Sequence, residues 1–166
     1  GGWDLARTEA AAAQARAREL RNPQEVEVGH TILGHVDFCV GDLAGSRQAS
    51  QALLDSARAR ANKQHEAWGL YTVGRADLYA DRLEDALAGF EQAAARLADL
   101  RDHASSILCG GLHAWAVARA GDVDGAVRRA DEVTSLIGRR MPSVFTIAEG
   151  FVGAAEKFGG RQARID

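Results

Sequence analysis

The chain is short of the residues that break or staple a fold. Two prolines in 166 residues leave long helices free to form, because proline is the residue a helix interior tolerates least. The two cysteines, Cys39 and Cys109, lie far apart inside helical patterns, which excludes a disulfide framework and makes a reduced, cytoplasmic setting the default. No stretch approaches the ~20 continuous apolar residues of a membrane span, and no signal-peptide pattern opens the chain. Neither sign of charge dominates. The 20 basic and 23 acidic residues are interspersed, for a net charge of −3, so the chain has no long-range field for nucleic acid or an anionic membrane. Catalytic signatures are missing too: no G-x-S-x-G elbow, Walker-type loop or H-E-x-x-H pattern occurs. The expectation is a segment without enzymatic activity and without a cofactor.

What is abundant is Ala, Leu, Arg, Glu and Gln, with 46% hydrophobic and 26% charged residues, a composition that favours helix throughout. Apolar periodicity and turn residues predict helices at about 3–21, 25–40, 43–61, 65–80, 83–101, 104–120, 123–138 and 142–158. Within this all-α pattern the most regular stretch is Gly74 to Ala93. It reads as the end of one helix, a tight turn at Asp81-Arg82 and the start of the next. Small residues at Gly74, Ala86 and Ala93 permit close helix approach, and Phe90 fills the space between.

The same order recurs at one fixed spacing in both directions along the chain. Gly74 becomes Gly34 and Ala114. The turn at Asp81 becomes Gly1, Gly41, Gly121 and Arg161, and the apolar residue two further on is Trp3, Leu43, Leu83, Val123 and Ala163. Ala86 becomes Ala6, Ser46 and Ala126, whereas the Phe90 position weakens to Ala10, Ser50 and Ala130. A single helix pair cannot bury its own apolar face, so recurrence at a fixed period is the mark of a stacked array.

The order small, small, large, small resembles the tetratricopeptide (TPR) unit, which carries Gly or Ala at its eighth, twentieth and twenty-seventh positions and an aromatic at its twenty-fourth. Asp77 stands where that unit has Tyr, and the period of about 40 residues exceeds the usual value of about 34. The resemblance implies one domain over residues 1–166, an α-solenoid of antiparallel helix pairs forming a right-handed superhelix. A narrower similarity covers about residues 65–156. Trp68 to Leu78, Arg82 to Ala86, Pro142 to Phe145 and Glu149 to Glu156 look like the C-terminal repeats of bacterial signalling proteins. In those proteins a nucleotide cyclase is joined to a STAND-type ATPase, or the chain ends in a LuxR-type DNA-binding domain. That similarity implies a regulatory arm whose catalysis resides in other domains of the parent protein.

In TPR arrays the first helix of each pair lines the groove. In this register that face is Val28, Thr31, His35, Phe38 and Cys39; then Trp68, Tyr71, Arg75, Leu78 and Tyr79; then Leu108, Gly111, Trp115, Ala118 and Arg119. The expected partner-binding residues are Trp68, Tyr71, Arg75, Tyr79, Trp115, Arg119, His35 and Phe38, because aromatics and arginine make interface hot spots. Such a groove would take a protein or peptide segment bearing an acidic group, from a partner or from the same chain. The competing expectation is that Trp68 and Trp115 pack between repeats and the arginines make surface ion pairs.

Two helical pairs, His35 with Cys39 and Cys109 with His113, have metal-ligand spacing. They sit at different repeat positions and do not converge, so buried free cysteines and ordinary histidines are expected and no metal. His30, His65 and His103 fall near helix starts and are expected at the surface. Glu84, Asp85, Asp122 and Asp124 fall at helix starts, where they complement the dipole. Gly110 and Gly111 allow close helix contact, or room for a small-ligand pocket beside Trp115. Trp3, Phe151 and Phe158 are poor caps, so the chain is expected to be part of a longer array or to self-associate through bare ends.

Overall fold

A computed structural model describes the backbone of residues 2–140 and the side chains of residues 2–137. Among these residues every regular element is helical: α1 (Gly2–Glu19), α2 (Pro23–Cys39), α3 (Leu43–Ala59), α4 (Lys63–Tyr79), α5 (Leu83–Leu100), α6 (His103–Arg119) and α7 (Val123–Arg140). The helix expected over 142–158 lies outside the described residues. The chain divides into two compact units, Gly1–Asp81 and Arg82–Asp166. In the first, α1 packs on α2, α2 on α3, and α3 on α4, with α2 also touching α4. In the second, α5 and α7 both pack on α6.

The helices end on a spacing stricter than the sequence pattern suggests. Positive φ occurs at Arg21, Gly41, Ala61, Asp81, Arg101 and Gly121, at one constant interval along the chain. At each of these the amide donates to the carbonyl three residues back, as from Gly41 to Phe38 and from Ala61 to Arg58. After Arg21, Gly41, Ala61, Arg101 and Gly121 the next amide reaches five residues back, as from Asn62 to Ala57 and from Asp122 to Val117. This is the Schellman closure, which satisfies the last carbonyls of a helix through one left-handed residue. The residue after it then caps the following helix. Asn22, Asp42, Asn62, Asp102 and Asp122 each accept the amide three positions on through their side chains, whereas Arg82 makes no such bond. Stop and cap are thus adjacent, so the chain reverses within about one turn of backbone.

Four of these six left-handed positions hold a residue with a Cβ, which costs about 1 kcal/mol relative to glycine before unfolded-chain entropy is counted. Ala61 is exposed, with φ +55°. Ala61→Gly is therefore expected to stabilise the protein by about 0.5–1 kcal/mol. Calorimetry should show Tm rising by about 2–4 °C per kcal/mol; an unchanged or lower Tm would contradict the strain argument.

The side chains that fill the core follow the same spacing. On α3 Ser46, Ser50, Leu53 and Ala57 are buried, on α5 Ala86, Phe90, Ala93 and Leu97, and on α7 Ala126, Ala130 and Val133. Each set recurs at intervals of about i, i+4 and i+7, the spacing that places residues on one helical face. Phe90 is fully buried, and in the second unit Ile107, Ala114, Ala126, Ala130 and Val133 form one cluster.

Candidate functional site

In the first unit, α2 and α4 bring five of the expected groove residues together. The Arg75 guanidinium lies 4.1 Å from the Phe38 ring centroid and 5.9 Å from that of Tyr71. Phe38 meets Tyr79 edge-on, with centroids 4.8 Å apart, and Trp68 meets Tyr71 in the same way at 5.9 Å. A guanidinium over an aromatic face is attracted by the ring quadrupole, more strongly where water is excluded. Arg75 is 9% exposed, its Nε is buried without a hydrogen-bond partner, and among the described residues it faces no carboxylate within ion-pair distance. A buried cation normally requires an anion.

The surroundings respond to that charge. Burial and then the Arg75 charge push the His35 imidazole below its ordinary pKa. Burial raises the Tyr79 phenol, with Arg75 acting in the opposite direction. Tyr79 is 41% exposed, and Val28 and Ile32 present further apolar surface on α2. Trp68 is half-buried and Tyr71 buried. Leu78, which the register placed in the groove, is fully buried, because it faces the core side of α4.

Trp115 and Arg119 belong to α6, in the second unit. Arg119 lies 5.6 Å from the Trp115 ring centroid, and both are half-buried. The expectation that both cysteines are buried is corrected. Cys109 is buried, its thiol pushed up to about 12 by burial with Arg129 opposing, and donates to the Phe90 carbonyl at 3.6 Å. Cys39 is exposed at the end of α2, with Sγ 3.6 Å from His35 Nε2. Among the described residues no three His, Cys, Asp or Glu side chains cluster as metal ligands.

The sequence also misplaces the three helix-start histidines. His30 and His103 are half-buried, and His65 is built into a network centred on Glu27. The Glu27 carboxylate, fully buried on α2, accepts hydrogen bonds from Ser56 Oγ at 2.8 Å, Asn62 Nδ2 at 3.0 Å and His65 Nδ1 at 2.6 Å, with Arg60 at 3.1 Å. Burial alone would raise the carboxyl; the bonds from His65, Ser56 and Asn62 and the Arg60 charge outweigh it and hold Glu27 below the ordinary carboxylate value. This network ties α2 to the α3–α4 junction. A second buried carboxylate, Asp77 on α4, is held by Arg47 Nε of α3 at 2.7 Å.

The fold and the site define a helical protein whose polar chemistry is arranged between helices. No protein-family model matches the chain, and no curated protein matches it. No described helix is long and apolar enough to cross a membrane.

Proposed function

We propose that the chain is a non-catalytic scaffold of stacked helix pairs, TPR-like in plan with a lengthened unit, that recognises a protein segment along the α2–α4 face. The supporting observation is Arg75: a buried guanidinium stacked on Phe38, with no carboxylate facing it among the described residues, beside the exposed Tyr79. A partner segment would set an Asp or Glu side chain, or a terminal carboxylate, against the guanidinium and lay apolar side chains on Tyr79, Trp68, Val28 and Ile32. Desolvated charge pairs of this kind act as hot spots. The repeat reading draws support from the even spacing of the helix junctions, since two consecutive helices span the interval from Gly41 to Asp81, the period read from the sequence. The similarity of residues 65–156 to the C-terminal repeats of bacterial signalling proteins adds to this proposal that the segment acts as a regulatory arm in the cytoplasm, its partner being another protein or another part of the same polypeptide.

The test is selection of short peptides from a random display library on the purified chain. The recovered peptides should share an acidic residue next to an aromatic or aliphatic one. Arg75→Met keeps the apolar stem over Phe38 and removes the charge, and it should weaken the selected peptides by about tenfold or more while leaving the helical circular dichroism unchanged. Peptides without an acidic residue, or equal affinity for Arg75→Met, would sink the assignment.

A further inference from the structure

The second unit contains a mostly apolar cleft between three helices, with a few charged and polar groups on its walls. α5 and α7 both rest on α6 without touching each other, so a trough of about 370 Å³ runs between them with α6 as its floor. Its apolar lining comes from Ala94 and Ala98 of α5, Gly110 of α6, and Val133 and Leu136 of α7. Glycine at 110 permits close packing there: a Cβ would stand 2.5 Å from Val133 Cγ2, so a larger residue would force Val133 to shift.

His113 lines the same cleft. Its side chain is 4% exposed, it stacks at a tilt on Phe90 with centroids 6.0 Å apart, and among the described residues neither ring nitrogen has a hydrogen-bond partner. A neutral imidazole with no partner from the described residues has one ring nitrogen that can donate to a ligand. Arg129 and Arg101 stand on the walls against a single acid, Glu132. Arg129 approaches Glu132 only at 4.0 Å, and Glu132 points to solvent.

The corresponding trough of the first unit, between α1 and α3 over α2, shows the contrast. It is of similar size, but Arg7 pairs there with Asp37 and Asp42, and Gln14 donates to the Val26 carbonyl at 3.2 Å. There the arginine is held by two carboxylates, whereas among the described residues Arg129 of the second trough meets only Glu132, at the limit of ion-pair distance.

We infer that the α5–α6–α7 cleft binds a small organic acid with an apolar body, its carboxylate accepting hydrogen bonds from His113 and Arg129 and its hydrocarbon part lying on Gly110, Val133 and Leu136. Clefts of a few hundred Å³, mostly apolar with a few convergent polar groups, are the usual form of such sites. A singly charged carboxylate suits one neutral imidazole and one guanidinium better than a doubly charged phosphate does, because the apolar lining offers nothing else to replace lost water. The inference does not depend on the Arg75 face, which lies in the other unit.

The experiment is an NMR titration of the isotopically labelled chain with phenylacetate, 2-phenylethanol and inorganic phosphate. Phenylacetate should give saturable shifts at the His113 ring and Arg129 side chain with Kd of about 5 mM or tighter, and 2-phenylethanol should bind about tenfold more weakly. Phosphate should give no saturable shift at His113. Arg129→Met, at a partly exposed position, should remove the preference for the acid over the alcohol. Leu136→Trp should fill the trough and abolish both. Absence of saturable shifts at His113, equal binding of acid and alcohol, or tighter binding of phosphate would overturn the proposal.

Discussion

Replacing Glu27 with alanine is expected to destabilise the first unit by about 3–5 kcal/mol, the cost of breaking a buried, fully bonded charge by removing one partner. The carboxylate is fully buried and is the common acceptor for Ser56, Asn62 and His65, with Arg60 beside it. Without it the donors face a cavity, and those at the α3–α4 turn can recover only part of their loss through water. Glu27→Gln keeps the shape and one acceptor oxygen, so a smaller loss of about 1–3 kcal/mol is expected. Urea unfolding monitored by circular dichroism gives both values from the midpoint and slope. A change below about 1 kcal/mol for Glu27→Ala would show that the network is incidental. Because the folded carboxyl sits below its unfolded value near 4.5, its contribution is complete above that pH and is lost as pH falls through the folded value.

The second large effect is acid sensitivity of the second unit through His113. Burial, and then the nearby Arg129 charge, lower this imidazole from 6.5 to about 4. The folded state therefore keeps His113 neutral at a pH where the unfolded chain binds a proton. Stability is complete above about pH 6.5, falls between 6.5 and 4, and levels off below that as far as this group is concerned. From pH 7 to pH 5 the loss should be about 2 kcal/mol, following the linkage of about 1.36 kcal/mol per pH unit once the unfolded imidazole is charged. His113→Leu removes the titrating group and should flatten that part of the profile. Burial also lowers His30 and His35, so a shallower slope of the same sign will remain. An identical pH profile for wild type and His113→Leu would refute the assignment.

Much of the local structure is legible in the chain. Helix starts at 43, 83 and 123 follow from Gly41-Asp42, Asp81-Arg82 and Gly121-Asp122, because these residues favour a left-handed stop or supply a cap. The junctions at Arg21, Ala61 and Arg101 are harder to read, since arginine and alanine carry no preference for positive φ. The asparagine or aspartate that follows each of them is the usable signal, and Asn22, Asp42, Asn62, Asp102 and Asp122 keep its spacing. Asp77 is an instructive departure. It stands where the repeat pattern has an aromatic, and it is buried because Arg47 of the preceding helix bonds it.

The grouping of Phe38, Tyr71, Arg75 and Tyr79 was expected only through the resemblance to the tetratricopeptide unit, which sets the first helices of successive pairs side by side; helical register then says which residues share a face. The Glu27 network was not. Its donors come from positions 56, 60, 62 and 65, and a glutamate in a helix with polar neighbours ordinarily faces water. Nor could the sequence show that Arg7 pairs with Asp37 over α2 while among the described residues Arg129 meets only Glu132 over α6, since that difference rests on which side chains reach one another.

By itself the sequence determines the helical content, the stop-and-cap chemistry at most junctions and the small and large residues that face inward, all of which follow from local propensity and periodicity. Tertiary structure alone decides which polar groups are paired. Glu27 is bonded, while among the described residues Arg75 lacks a carboxylate and His113 a hydrogen bond, because pairing depends on distances between helices far apart in the chain.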